Sequence, residues 1–182
     1  PRSRGLGDVY KRQPTIEGLY NYTDVINNNE HLDNDSWHLG LPDSIISDIK
    51  NSIAKPGELP YFQLTPIRKP TLKTKFNQLR DSGVVMMIGT DSGIPMKFHS
   101  QSTWNELEVW VNVFDVEPLD AIKSATYWPS FFMGVSDTVG TISVGKQADI
   151  IAVKGNVLKH ISTLQNIDIV MKKGKIYKNT KS

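Results

Sequence analysis

The sequence predicts an α/β fold, and three consecutive segments support this prediction. The segment "TLKTKFNQLRDSG" places its apolar residues on one helical face and ends at Gly83, a residue suited to a helix C-terminal cap. Five apolar residues without alternation, Val84 to Ile88, follow at once, which is typical of a parallel strand covered on both faces. The segment "STWNELEVWVNVF" then has the apolar spacing of a second helix.

The remaining elements follow from periodicity and from turn residues. We expect one helix in "LPDSIISDIKNSIAK", a second that starts at Pro118, and a short third helix in "PSFFMG". The segment "YFQLTPI" is expected to be a short buried strand, and residues 14–40 are expected to be mostly loop. The segments "VGTISVGKQADIIAVKG" and "IDIVMKKGKIYKN" alternate and contain glycine turns, so they predict short β segments. In the second of them, Lys173-Gly174 fits a hairpin turn between Val170 and Tyr177.

Composition excludes several classes of protein. The chain has 182 residues, 38% hydrophobic and 22% charged, which fits a globular domain of ordinary size. A net charge of +2 with scattered Lys and Arg gives no reason to expect nucleic-acid binding. No apolar run approaches the roughly 18 residues of a membrane span, and the absence of cysteine rules out disulfides and thiolate metal sites.

Residues 1–13, "PRSRGLGDVYKRQ", differ from the rest of the chain. They are basic, lack a hydrophobic period and do not begin with Met. They resemble a sequencing adapter translated in frame with an environmental, metagenomic DNA read, so we predict a non-native segment fused to a fragment of a longer protein; a natural arm is the alternative. We expect a cytoplasmic protein by default. Because the native N-terminus would be missing from such a fragment, an export signal is the alternative.

Asp91 is the first candidate for chemistry. It follows the apolar run directly, within Gly89-Thr90-Asp91-Ser92-Gly93. Active sites of α/β sheets and barrels lie at the carboxyl ends of strands, where a carboxylate can bind a metal or accept a proton. An aspartate in such a loop can instead serve only as a turn residue that makes local hydrogen bonds.

Four motifs, in order, resemble the amidohydrolase superfamily. They are "GTDSGIPMKFHSQSTWNELEVWV", "PLDAIKSATYWPSFFMGV", "VGTISVGKQADIIAV" and "VMKKGKIY". The chain is most similar to the imidazolonepropionase-like and Xaa-Pro dipeptidase-like hydrolases. The resemblance implies a (β/α)₈ barrel of TIM type with a small β-sandwich, one or two divalent metals, usually Zn²⁺, and a metal-bound water that breaks a C–N bond of a small molecule.

Site residues carry over from the resemblance at two positions. Asp91 matches the aspartate that ends the eighth barrel strand, where it contacts the metal and accepts the proton of the attacking water. His99 matches a position that is often histidine in the family and is expected near substrate, with loop packing or a cap for the next helix as the alternative. Ser92 is expected to donate a hydrogen bond near the metal and substrate, with a turn role as the alternative. The family's H-x-H metal motif has no counterpart, since none of the four histidines, His31, His38, His99 and His160, has that spacing.

The other polar and aromatic candidates are given structural interpretations. Glu106 is expected to form a capping box with Thr103, and Glu108 to be an exposed helix residue. His31 and His38 lie in a polar segment, and one of them could be the remnant of a metal ligand from a middle strand of the barrel. His160 is expected to be structural. Three tryptophans are expected to lie in the core, namely Trp104, Trp110 and Trp128, and Asp149 is expected to have a structural role at the start of a strand.

The predicted organisation is a partial barrel over residues 14–136 and the C-terminal part of a β-sandwich over residues 137–182. The favoured function is that of a metal-dependent amidohydrolase acting on a peptide-like or cyclic amide, with the fragment alone inactive. Two alternatives stay open, a ring-amidine deaminase of the same fold and a non-catalytic barrel remnant. Substrate identity is not predicted, and a homo-oligomer is left open.

Overall fold

The described residues alternate helices with short strands and end in a small antiparallel sheet. The computed structural model describes residues 11–16, 18, 37–38, 40–55, 58, 60–94 and 97–180. In chain order the elements are β1 (Lys11–Arg12), α1 (Asp43–Ala54), α2 (Pro60–Asp81), β2 (Val85–Met86), α3 (Ser102–Asn112), α4 (Pro118–Ala125), α5 (Tyr127–Phe132), β3 (Ile150–Val153), a 3₁₀ helix (Ile161–Gln165), β4 (Ile167–Lys172) and β5 (Lys175–Asn179).

Strands β1 and β2 pair in parallel, as the unbroken apolar run predicted. Arg12 lies opposite Met86, and the backbone N–H of Met87 donates to the carbonyl of Arg12 at 2.9 Å. The next amide, Ile88, donates to the carbonyl of Ser124 at 3.2 Å. Regular pairing covers only two residues of the run. Strand β1 lies within the segment predicted to be non-native, and whether residues 1–13 are native stays a prediction.

The hydrophobic core lies between β2 and the helices that flank it. Phe76 of α2 contacts Trp110 and Phe114 with both ring centroids at 4.8 Å, and all three side chains are almost completely buried. Other core members are Ile16, Met86, Ile88, Leu107, Val109, Val116, Ala121 and Ile161. Ile161 belongs to the 3₁₀ helix, so the C-terminal part of the chain contributes to the same core as α2 and α3.

Helix α2 corrects the strand expected in "YFQLTPI". That segment forms the first turns of a 22-residue helix, which passes through Pro66 and Pro70. The aromatic and β-branched residues suggested a strand, but Phe62 and Thr65 are buried on one helical face.

No helix among the residues described here is both long and apolar enough to cross a membrane. The other expected helices, α1, α4 and α5, are confirmed.

The C-terminal sheet has the order β3–β4–β5 and is antiparallel. The predicted Lys173-Gly174 hairpin is confirmed, and both residues have positive φ, at 49° and 77°, as a type I′ turn requires. The expectation of strands between residues 139 and 149 was wrong: this stretch is loop, and regular pairing begins at Ile150. Ile142 and Val144, which suggested a strand, are exposed.

Asp149 holds this hairpin, in agreement with its structural interpretation. Its carboxylate accepts a hydrogen bond from Nζ of Lys172 and another from the backbone N–H of Lys173, both at 2.7 Å. These two bonds, that of the Lys172 side chain first, lower the pKa of Asp149. A lowered pKa means that the contribution of Asp149 to stability is present at neutral pH and is lost as pH falls through that pKa.

The two prolines inside α2 predict a stabilising substitution. Proline in a helix interior removes a hydrogen bond and its ring clashes with the carbonyl four residues earlier. Pro70 is exposed, so its ring contributes little to the core. We expect Pro70→Ala to raise the free energy of unfolding by about 1–2 kcal/mol, after allowing for the greater entropy of the unfolded chain.

Urea unfolding monitored by circular dichroism measures this change. Pro42→Ala is the matched control, because Pro42 is exposed and precedes the first turn of α1, where proline costs little. A Pro70→Ala chain that is less stable than the unmodified one would contradict a continuous α2.

Candidate functional site

Asp91 lies in the loop that leaves the carboxyl end of β2. Its φ is +47°, a left-handed conformation that aspartate tolerates better than most residues. The loop turns back on itself, since Ile94 N–H donates to the Asp91 carbonyl at 3.3 Å and Gly93 N–H donates to the Lys97 carbonyl at 3.0 Å. The Asp91 side chain is exposed, and none of the described residues donates a hydrogen bond to its carboxylate. Its oxygens therefore stay available to a ligand.

Gly89 allows the segment after β1 to approach the start of this loop. A Cβ at Gly89 would lie 2.8 Å from Cγ of Gln13 and 2.8 Å from Oγ1 of Thr15, closer than real contacts allow. The amide group of Gln13 donates to the carbonyl of Ile88 at 2.9 Å. The glycine before Asp91 is therefore required by close packing, and residues 13–15 form one wall beside the strand end.

Ser92 and His99, the expected substrate contacts, belong to the same loop as Asp91. A Cβ at Gly93 would lie 3.6 Å from Nε2 of His99, so the exposed imidazole lies against the backbone of this loop. The Ser92 hydroxyl donates to Oγ1 of Thr90 at 3.0 Å, which is a local turn contact. The structure thus places His99 beside Gly93, two residues after Asp91, and the roles of Ser92 and His99 toward substrate stay predictions.

His38 approaches the segment that follows the Asp91 loop. Its ring lies 5.8 Å from the ring of Phe98, and the carbonyl of Trp37 accepts a hydrogen bond from Ser100 at 3.0 Å. The Nε2 atom of His38 is buried and has no hydrogen-bond partner among the described residues. His160 is exposed at the start of the 3₁₀ helix, and His31 lies outside the described residues.

Glu106 was assigned wrongly from the sequence. Helix α3 begins at Ser102 without a side-chain cap, and Glu106 is 0% exposed. Its carboxylate accepts the backbone N–H of Ile16, at 3.0 and 3.2 Å to the two oxygens, and the indole N–H of Trp110 at 2.8 Å. The Thr-x-x-Glu spacing is that of a capping box, but the glutamate instead faces the core and binds a residue ninety positions earlier in the chain.

Glu108 was expected to be an exposed helix residue, and the structure corrects this expectation. The side chain is half-buried, and burial raises the pKa of its carboxyl group, because a less hydrated environment disfavours the charged form. Of the three tryptophans expected in the core, Trp110 is almost fully buried, whereas Trp104 and Trp128 are half-buried.

A cavity of about 510 Å³ is lined in part by β2 and the residues just before it. Its lining includes Val84, Val85 and Met86, but not Asp91. Two of the carboxylates at its rim are already paired, Asp115 with Lys73 at 2.7 Å and Asp120 with Lys123 at 3.0 Å. This cavity is therefore not lined by the candidate catalytic residue.

The donor set of the Asp91 loop fits a metal only in part. Asp91 supplies a carboxylate and His99 an imidazole, both of which bind divalent metals. Over the residues that the structure describes, no group of three or more His, Asp or Glu side chains could hold a metal ion. Catalytic zinc sites use three protein ligands, so these residues can supply part of a site and not a whole one.

Asp91 follows a strand that lies between two helices in the chain, an arrangement that is common in α/β proteins. The family model for the amidohydrolase family matches residues 19–177. The chain therefore belongs to the amidohydrolase family, and the predicted family is confirmed. Its fold is accordingly of the TIM-barrel type with mixed helix and strand content; the β-sandwich assignment stays a prediction.

Curated and solved relatives agree with this membership. An imidazolonepropionase of Rhizobium rhizogenes is 32% identical over 90 residues, which are 50% of this chain and 21% of that protein. The crystal structure of a Xaa-Pro dipeptidase with bound methionine in its active site is 32% identical, with a TM-score of 0.57 over 65% of this chain and 28% of that chain. A crystal structure of an amidohydrolase at 24% identity has a TM-score of 0.61 and covers 93% of this chain and 34% of its own, which supports the fold alone.

These alignments cover about a fifth to a third of the length of the relatives.

The raised pKa of Glu108 predicts how stability depends on pH. The folded state holds the Glu108 proton more tightly than the unfolded state, so this group stabilises the fold below its unfolded pKa of 4.5, and the contribution is lost as pH rises through the folded pKa. We expect Glu108→Gln to raise the melting temperature at pH 7 by no more than about 2–4 °C, since the group is partly solvated.

Thermal melts followed by circular dichroism at pH 7 and about pH 4 test this, because the difference should vanish where the carboxyl of both states is protonated. Asp137→Asn, a substitution at an exposed carboxylate outside the helices, is the control. A Glu108→Gln chain that melts lower at pH 7 and equally at pH 4 would reverse the sign and contradict the burial argument.

Proposed function

We propose that this chain supplies part of the active site of a metal-dependent amidohydrolase, with Asp91 as a metal ligand and proton acceptor. The observation that carries the proposal is the exposed Asp91 carboxylate at the carboxyl end of β2, in a chain that belongs to the amidohydrolase family. The substrate class we propose is a small molecule with an amide, dipeptide or cyclic amide C–N bond. The relatives named as a Xaa-Pro dipeptidase and an imidazolonepropionase support this class.

Asp91 has the properties that a proton acceptor needs. Its carboxylate is exposed, projects from a backbone held by two turn hydrogen bonds, and has no described donor that would compete with water. In the proposed reaction, one oxygen of Asp91 accepts the proton of the attacking water and returns it to the leaving nitrogen, so the C–N bond breaks as the amine departs neutral. We propose His99, which lies against the Gly93 backbone, and Ser92 as substrate contacts.

The metal in this proposal is divalent, Zn²⁺ first, with one or two ions per site. It would supply a Lewis acid that acidifies water and polarises the scissile carbonyl group. Asp91 would hold it from this chain. The remaining ligands would come from parts of the family fold that this chain does not span, since the alignments cover only 21–34% of the relatives.

We further propose the division of the chain that the sequence suggested. Residues 14–136 would form barrel elements, and residues 137–182 the C-terminal part of a β-sandwich, for which β3–β4–β5 would be three strands. Residues 1–13 would be non-native and the chain a fragment, in which case the chain by itself would not turn over an amide.

Metal binding by the 182-residue chain gives the first test. With one carboxylate and at most one imidazole in the loop, we expect Zn²⁺ to bind with a Kd on the order of 10 µM or weaker, and Asp91→Asn to abolish this binding. Isothermal titration calorimetry measures both.

Asp115→Asn is the matched control for metal binding. Asp115 is also an exposed aspartate with positive φ, at 58°, but its carboxylate pairs with Lys73. If both variants bind Zn²⁺ as the unmodified chain does, Asp91 is not a ligand and the proposal fails at its main support. Submicromolar binding that depends on Asp91 would instead show that the described residues hold a more complete site.

A second test uses a complete amidohydrolase that contains these residues. Asparagine suits a left-handed loop position at least as well as aspartate, so Asp91→Asn should leave the melting temperature nearly unchanged. It cannot accept the proton, and removal of a general base lowers kcat by at least about 10²-fold. Steady-state kinetics on metal-loaded samples measure this loss. Turnover within a few-fold of the unmodified enzyme would reduce Asp91 to a turn residue.

A further inference from the structure

Glu106 is a buried carboxylate that the proposed reaction does not use. It is 0% exposed, and it lies on α3, which follows the Asp91 loop in the chain. Removing an ionised carboxylate from water costs several kcal/mol, which its hydrogen bonds must offset. An apolar side chain would avoid that cost, so stability alone does not explain a glutamate at this position.

The partners of Glu106 show what the carboxylate holds in place. One partner, the indole of Trp110, lies on the next turn of the same helix. Another described partner is the backbone N–H of Ile16, which donates to both carboxylate oxygens. A backbone bond of this kind fixes the course of the chain itself, because it does not depend on the Ile16 side chain.

The segment held at Ile16 is the wall beside the strand end that carries Asp91. Thr15 adjoins Ile16. A Cβ atom added at Gly89 would lie 2.8 Å from the hydroxyl oxygen of Thr15, so the two residues are in close contact. Gly89 precedes Asp91 by two residues. A continuous set of contacts therefore runs from the Glu106 carboxylate through Ile16 and Thr15 to Gly89 and the Asp91 loop.

We propose that Glu106 is a positioning residue: its buried carboxylate binds the Ile16 amide and so sets the position of the Gly89–Asp91 backbone through Thr15 and Ile16. This inference deepens the proposed role of Asp91 and rests on it for its functional meaning. Its structural content, the connection from Glu106 to the Asp91 loop, does not depend on metal or turnover.

The test is nuclear magnetic resonance on the isotopically labelled 182-residue chain without metal. In the unmodified chain the Ile16 amide should be protected from hydrogen exchange. In Glu106→Leu, which removes both acceptor oxygens, its exchange should rise by at least about 10-fold, and the amide resonances of residues 89–92 should shift. Glu106→Gln keeps one acceptor oxygen and should give smaller changes in the same direction.

Glu108→Gln is the matched control, since it alters a carboxylate two residues away on the same helix and should neither raise the Ile16 exchange rate nor move the resonances of residues 89–92. Melting temperatures are recorded for every variant, because a purely structural role would lower them without moving the resonances of residues 89–92. Folded Glu106 variants whose Ile16 exchange and loop resonances match the unmodified chain would overturn the proposal.

If neither Glu106 variant folds, hydrogen exchange of the unmodified chain still tests whether Glu106 binds the Ile16 amide. An Ile16 amide that exchanges at the rate of an unprotected amide would show that Glu106 does not hold it. Protection of that amide, with the Trp110 indole N–H resonance moved away from that of a solvated indole, would support the bond. Because no metal is present, this outcome is independent of whether Asp91 binds Zn²⁺.

Discussion

The buried carboxylate of Glu106 is the contact on which the α/β part of this chain depends. It joins two segments ninety residues apart, the stretch after β1 and helix α3, through hydrogen bonds in a water-excluded interior. The same carboxylate orients Trp110, which in turn contacts Phe76 of α2. Glu106 therefore links the stretch after β1 to the aromatic cluster that contains Trp110 and Phe76.

The loop that carries Asp91 combines a fixed backbone with an available side chain. Its glycines serve different purposes: Gly89 is required by close packing against residues 13–15, and Gly93 by a φ of +103°. Asp91 itself has positive φ, which in a residue with a Cβ stores some strain. Asp115 has the same backbone conformation but uses its carboxylate in an ion pair, so the conformation alone does not mark a functional residue.

The C-terminal sheet is held together in a different way. Its strands are adjacent in sequence, its turn has the residues that the hairpin geometry requires, and Asp149 binds the turn through two hydrogen bonds. The β4–β5 turn is a local contact, whereas the two Asp149 bonds join residues 23 and 24 positions apart, and β5 is exposed. Connection to the α/β part comes through Ile161 and Leu164, whose side chains pack into or against the common core.

The sequence by itself determined the features that depend on local chemistry. Helices α1, α4 and α5 follow from periodicity and proline or glycine boundaries, the Lys173-Gly174 hairpin from turn residues, and the placement of Asp91 from an apolar run that ends at glycine. The family followed from the order of motifs along the chain. Each of these signals lies within a short stretch, so no distant contact is needed to interpret it.

Only the tertiary structure decided the points at which a distant partner changes the meaning of a local pattern. The "YFQLTPI" segment becomes helix because its apolar residues are buried along α2, although two prolines oppose it. Glu106 has the spacing of a capping residue, yet it binds Ile16 and Trp110 because α3 turns that face toward the core. A local pattern records what a residue can do, whereas burial decides which partner it must take, since a buried polar group without a partner costs more than a lost helix cap.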